Sequence, residues 1–139
     1  MEHEINLNWL ENMSFEGDLG NGHKMIIDAG PESGGENKGP RPKPLLLMAL
    51  AGCTGMDVVS LLKKMRVEYE SFTIKVKGKL TEEHPKYYES MHITYAIKGK
   101  SIDHEKVEKA VSMSKERYCG VSALFQKAIP LTYDILITE

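Results

Sequence analysis

Residues 45 to 62 constrain this chain more than any other stretch. Leu45, Leu46, Leu47, Met48, Leu50, Met56, Val58, Val59, Leu61 and Leu62 fall on every side of a helix rather than along one stripe. Pro44 suits the first turn of that helix, where its missing N–H is not needed. Lys63, Lys64 and Arg66 stand at the other end, where cations complement the helix dipole. Leu45 to Met65 therefore reads as one long buried helix. A helix that is apolar all round has to be covered all round. One small sheet covers one side, so a second copy of the chain is the simplest cover for the other, and an obligate homodimer is expected. The same stretch makes a poor membrane span. It holds Cys53, Thr54, Asp57, Ser60 and two glycines, and a charge at Asp57 would be expensive in lipid. No membrane partner is expected.

The sheets come from the flanks. Ile5, Leu7 and Trp9 alternate with polar residues, Met13 and Phe15 keep the period, and Lys24 to Asp28 reads as a third short strand. Gly17-Asp18 and Gly20-Asn21-Gly22 carry turn chemistry. Gly30 to Pro44 is so rich in glycine and proline that regular structure is excluded, and a loop of that length is functional, mobile or a plain surface crossover. Past the helix, Phe72 to Leu80 reads as a strand with Gly78 as a bulge, and Tyr88 to Ile97 as its hairpin partner. Asp103 is placed to cap a second helix whose inner face is Val107, Ala110, Val111 and Ser114 and whose end falls near Tyr118-Cys119-Gly120. Val121 to Ala128 is a short helical piece, and Leu131 to Ile137 a last strand. Strands, helix, strands, helix, strand is an α+β order. With 139 residues, the expectation is one domain spanning 1–139.

Charge narrows the function. Eighteen basic and 20 acidic residues are interleaved and leave a net charge of −2, so nothing grips a phosphate backbone and no nucleic acid partner is expected. Met1-Glu2-His3-Glu4 has neither the positive start nor the apolar run of an export signal, and the cytoplasm is the expected compartment. There, Cys53 and Cys119 read as thiols or catalytic groups rather than a structural disulfide.

The two cysteines are the candidates for chemistry. Neither a CxxC nor a zinc-ligand spacing is present, and His3, His23, His84, His92 and His104 are scattered, so no metal or other cofactor is expected. A free cysteine is often just a small buried apolar residue. Cys53, however, is flanked by Gly52 and Gly55 in a helix, where glycine costs about 1 kcal/mol relative to alanine. Small neighbours at that cost indicate close approach of a backbone, a helix or a small ligand. Cys119 precedes Gly120 at a helix break, where a thiol is reachable. Asp57 lies one turn after Cys53 and shares its side of the helix.

Two segments, Pro44-Leu45-Leu46-Leu47-Met48-Ala49-Leu50-Ala51-Gly52-Cys53-Thr54-Gly55-Met56-Asp57-Val58-Val59 and Tyr118-Cys119-Gly120-Val121-Ser122-Ala123, resemble the OsmC/Ohr family of osmotically induced and organic hydroperoxide resistance proteins. The resemblance implies antiparallel sheets around a long central helix in an intertwined homodimer. It also implies a cysteine-based peroxidase for organic hydroperoxides, a stress-response oxidoreductase with peroxiredoxin-like activity. By the resemblance Cys53 is the peroxidatic residue and Cys119 the resolving one, with an external dithiol as reductant and Leu46, Met48, Leu50 and Met56 as apolar walls. The best-known peroxidases of the family pair an arginine of the N-terminal strands with a glutamate shortly before the first cysteine. Here Ile5 to Asp28 contains no arginine, and Pro42-Lys43-Pro44 stands where that glutamate is expected. Arg41 is the nearby candidate for the activating charge, and Asp57 for orienting it. The competing expectation is a non-catalytic dimer that binds an apolar small molecule or senses redox state.

Overall fold

In the computed structural model, which describes Met1–Glu139, the alternating residues of the N-terminal stretch form β1 (Asn6–Glu11), β2 (Ser14–Gly20) and β3 (His23–Ile27). They pair antiparallel in that order. The β2–β3 hairpin turns at Gly20, Asn21 and Gly22, all at positive φ, which glycine and asparagine tolerate best. Gly17 and Asp18, expected in a turn, lie inside β2 instead. That strand is central, so Gly17 is paired to Leu7 on one side and Met25 on the other, and the two ladders outweigh its turn preference.

The glycine- and proline-rich stretch after β3 is organised around one buried carboxylate. Asp28 accepts the backbone N–H groups of Ala29 (2.7 Å), Glu36 (3.1 Å) and Lys38 (3.1 Å), while its own N–H donates to the Pro40 carbonyl (3.2 Å). A single 3-10 turn, Pro31–Ser33, fits inside this frame. Gly35 and Gly39 are not mere breakers, because a Cβ at either would sit 2.1 Å from the carbonyl oxygen of Ala29 or Ile26. Burial by itself would raise the Asp28 carboxyl. The N–H groups of Lys38, Ala29 and Glu36 and the charge of Lys38 outweigh burial and hold it below its ordinary value. A carboxylate depressed on folding contributes stability above its unfolded value and loses it as pH falls through the folded one. The loop is therefore expected to loosen as the solution is acidified below about pH 4. Amide exchange at Glu36 and Lys38, corrected for its intrinsic pH dependence, would report this; protection unchanged at lower pH would contradict it.

These elements belong to the first of two units, Met1–Leu46; the second is Leu47–Glu139. Helix α1 (Pro44–Lys64) runs almost wholly in the second and starts at Pro44 as its sequence requires. Leu50, Thr54, Val58 and Leu62, four apart, form its buried stripe together with Gly55. Leu46, Met48, Met56 and Val59 stay exposed, at 46%, 69%, 77% and 43%, so the chain covers one side of this helix only. By length and composition alone α1 is long and apolar enough to cross a membrane, a test that core helices also pass, and its buried stripe is that of a core helix.

The hairpin β4 (Ser71–Leu80) and β5 (Tyr88–Lys98) is antiparallel, as expected. The last strand, β6 (Leu131–Thr138), pairs parallel with β5, so this sheet is mixed rather than antiparallel. The reason lies in the connection. Between β5 and β6 the chain forms α2 (His104–Met113), a π-helical turn (Ser114–Tyr118) and α3 (Gly120–Gln126), and a helical crossover of that length returns the strand in the same direction. Asp103 caps α2 by accepting the N–H groups of Glu105 (3.1 Å) and Lys106 (3.3 Å). Gly78 is no bulge, since the ladder passes through it opposite Met91 and the irregularity falls at Lys79–Leu80. Its glycine serves the Tyr88 ring, 2.5 Å from where a Cβ would stand. Ile93, Tyr95 and Ile97 of β5, Val107, Ala110 and Val111 of α2 and the α1 stripe make the core.

Candidate active site

Helical spacing brings Cys53 and Asp57 to one side of α1, and the α2–α3 junction brings Cys119 to the same place. The two sulfurs and a carboxylate oxygen of Asp57 all lie within 4.8 Å of one another. The junction achieves this with its π-helical turn: the N–H of Cys119 reaches back five residues to the Ser114 carbonyl (2.8 Å). The wider turn changes the direction in which Cys119 and α3 leave the helix, a device common at functional positions. Cys119 then caps α3, its Sγ accepting the Ser122 N–H at 3.4 Å.

The two thiols are free and differently exposed. Cys53 is half-buried, whereas Cys119 is 2% exposed. Burial pushes the Cys119 thiol up. The Ser122 side chain and backbone N–H pull it down, and the neighbouring Cys53 raises it again. The Ser122 hydroxyl is fully buried and makes no hydrogen bond of normal geometry, so the backbone N–H is the Ser122 group properly aimed at the sulfur.

A line of buried hydroxyls supports the carboxylate. Tyr95 Oη lies 2.6 Å from Thr54 Oγ1, which lies 2.8 Å from Ser114 Oγ, which donates to Asp57 Oδ2 at 3.0 Å. Because Ser114 spends its one proton on Asp57, it must accept from Thr54, and Thr54 in turn must accept from Tyr95. Burial pushes the Tyr95 phenol up to about 12, with the Thr54 hydrogen bond opposing, so the phenol keeps its proton and can begin the line. Gly55 packs closely, with Ile74 Cδ1 2.7 Å from where its Cβ would be, while a Cβ at Gly52 would meet nothing within 4 Å. Only one of the two glycines beside Cys53 thus serves close packing within the chain.

The folded chain is related over nearly its whole length to proteins already grouped. A family model described as OsmC-like protein matches residues 35–134. The chain belongs to the OsmC-like family. The protein YhfA of Escherichia coli K12 is 31% identical over 130 residues, 94% of each chain. A hypothetical protein from Aquifex aeolicus superposes with a TM-score of 0.83 at 32% identity, covering 100% of this chain and 99% of that one. An organic hydroperoxide resistance protein from Elizabethkingia anophelis gives a TM-score of 0.72 at 14% identity, over 98% and 96% of the two chains, a likeness of fold.

Of the residues singled out in the sequence of this OsmC-like protein, Cys53, Cys119 and Asp57 come together in the second unit. Arg41 belongs to the first, where it is half-buried. Both of its hydrogen bonds run from Nη1, to Asn37 Oδ1 (2.8 Å) and to the Gly39 carbonyl (3.2 Å). With Leu7, Met13, Phe15, Ile27 and Asp28 it lines an apolar cavity of about 500 Å³. Leu50, expected as a wall, is fully buried core. The histidines stay outside the cluster; His92 hydrogen-bonds Thr132 (2.7 Å) and Asp134 (2.9 Å). Thr54, Tyr95 and Ser122 do not stand out in the sequence as site residues. A signal exists all the same: Thr54 interrupts the apolar i, i+4 row from Leu50 to Leu62, and Tyr95 sits between Ile93 and Ile97. A hydroxyl at a core position needs a partner.

Proposed function

We propose that this OsmC-like protein is a thiol-dependent reductase of organic hydroperoxides, with Cys53 peroxidatic and Cys119 resolving. The observation that carries the reading is the pairing of a half-buried thiol with a fully buried one in a single site. The Cys53 thiolate attacks the terminal oxygen of the hydroperoxide. An S–O bond forms, the O–O bond breaks, and the alcohol leaves with a proton. Cys119 then attacks the Cys53 sulfur, the S–S bond forms, and the oxygen departs as water. An external dithiol returns both thiols by exchange. The test is consumption of cumene hydroperoxide with dithiothreitol. Turnover above the thiol-only background supports the reading, and its absence favours the alternative, a dimer that binds or senses without turnover. Asp57 is the observation in favour of that alternative, because a carboxylate beside a thiol opposes thiolate formation.

Arg41 is proposed as the cation that offsets Asp57. Its hydrogen bonds occupy Nη1 only, so Nη2 and Nε remain uncommitted. If so, Arg41→Ala slows alkylation of Cys53 by iodoacetamide and leaves the oligomer unchanged; identical alkylation kinetics would remove Arg41 from the mechanism.

A homodimer completes the proposal. Its support is the exposed α1 face and, in the first unit, Ile5, Leu7, Trp9 and Met13, each at least 47% exposed. Sedimentation at micromolar concentration is expected to give twice the 15.6 kDa chain mass. A monomer there would contradict the reading of that face.

A further inference from the structure

We infer that the reduced Cys53–Cys119 pair and Asp57 form a binding site for one thiophilic divalent cation of the zinc class, and that the bound cation shields the pair from oxidation. The second half rests on the peroxidase reading; the first does not.

The donors have the right chemistry. Two sulfurs and a carboxylate oxygen are zinc ligands, and soft thiolates favour zinc over magnesium or calcium. They have the right spacing as well. Bonds of about 2.3 Å to sulfur and about 2.1 Å to oxygen place tetrahedral ligands roughly 3.5–3.8 Å apart. The three donor atoms already lie within 4.8 Å of one another, so small side-chain rotations close the set. The ligands are also braced. Ser114 holds Asp57 through Oδ2, leaving Oδ1 without a protein hydrogen bond, and the Ser122 N–H points at the Cys119 sulfur. Outer contacts of this kind orient metal ligands. The buried Ser122 hydroxyl makes no hydrogen bond of normal geometry, and a metal-bound thiolate is a better acceptor for it than a thiol.

Charge points the same way. The site gathers three acidic groups. For a peroxidatic thiol that is a handicap. For a divalent cation it is an advantage: two thiol protons leave to solvent, and two thiolates, one carboxylate and the cation sum to −1. No fourth histidine, cysteine, aspartate or glutamate joins the group, so water or an outside ligand would take the remaining position, and half-buried Cys53 provides the entry. A thiolate that shares charge with a metal is a weaker nucleophile toward an O–O bond.

The test uses the full chain, reduced with a phosphine and freed of metal, with Co2+ as the spectroscopic probe. A thiolate-to-cobalt charge-transfer band saturating at one equivalent per chain, and displaced by Zn2+, is expected. Cys53→Ser and Cys119→Ser should each lose most of the band, and Asp57→Asn should weaken affinity at least tenfold. Wild type alkylated at Cys53 by iodoacetamide should give no band, a control in which no variant has to fold. Absence of the band, saturation well below one equivalent, or unchanged affinity in Asp57→Asn would overturn the site. In single turnover with cumene hydroperoxide, without a competing dithiol, Zn2+ should slow oxidation at least tenfold and EDTA should restore it. Oxidation that proceeds equally fast with Zn2+ bound would overturn the shielding. A chain inert to hydroperoxide even without metal would instead defeat the peroxidase reading, and the cobalt result alone would decide the site.

Discussion

Cys53→Ser is expected to bring hydroperoxide consumption down to the rate of dithiothreitol alone. Serine keeps the size of the side chain but offers no thiolate, and the thiolate is the nucleophile. Cys119 cannot take over, because it is 2% exposed and its thiol is pushed up by burial. Cys119→Ser should behave differently. The first turnover survives because Cys53 is intact, but its sulfenic acid is left without the sulfur that lies within 4.8 Å in the wild type. At high hydroperoxide the sulfenic acid then advances to sulfinic acid, which dithiothreitol does not reverse. Mass spectrometry of Cys53 after a peroxide titration reads this directly. Retained turnover in Cys53→Ser would refute the assignment, and equal resistance to overoxidation in Cys119→Ser and wild type would remove Cys119 as the resolving residue.

Much of this arrangement is legible in the sequence, and the part that is not has a physical cause. The long helix announces itself because Pro44 and Lys63-Lys64 mark its ends and apolar residues fall on all its sides. The Cys53–Asp57 juxtaposition is a consequence of one turn of helix. That Cys119 joins them cannot be read from spacing, because it depends on the π-helical turn at Ser114–Tyr118, and no local propensity distinguishes such a turn from the end of an α-helix. The parallel pairing of β6 is equally hidden. Its alternation of Leu131, Tyr133, Ile135 and Ile137 gives the buried face but not the direction of the neighbour. The loop after β3 misleads for a different reason. Its glycines look like freedom in a sequence, yet Gly35 and Gly39 admit backbone contacts that any side chain would block. Asp28 then closes the loop through three N–H groups contributed by residues up to ten positions away.

The hydroxyl line beneath Asp57 carries the second large effect. Thr54→Val keeps the shape of the side chain and deletes the one group that both accepts from Tyr95 and donates to Ser114. Tyr95 Oη, on a residue 1% exposed, loses its protein partner, while Ser114 keeps Asp57. A buried polar group left unpaired costs about 1–3 kcal/mol, so Thr54→Val should destabilise the chain by that amount. The thermal midpoint should fall by roughly 2–4 °C for each kcal/mol, measured at one protein concentration so that any dimer contributes equally. Tyr95→Phe removes the stranded hydroxyl. Adding it to Thr54→Val should therefore cost less than the two single effects summed, with a coupling of about 0.5 kcal/mol or more. Strict additivity would mean that Tyr95 and Thr54 act separately and that the hydroxyls do not work as one line. The expected coupling would tie the packing of α1 on β5 to the placement of the carboxylate beside both thiols, because Thr54 is at once part of the buried stripe of α1 and one step along the line that ends at Asp57.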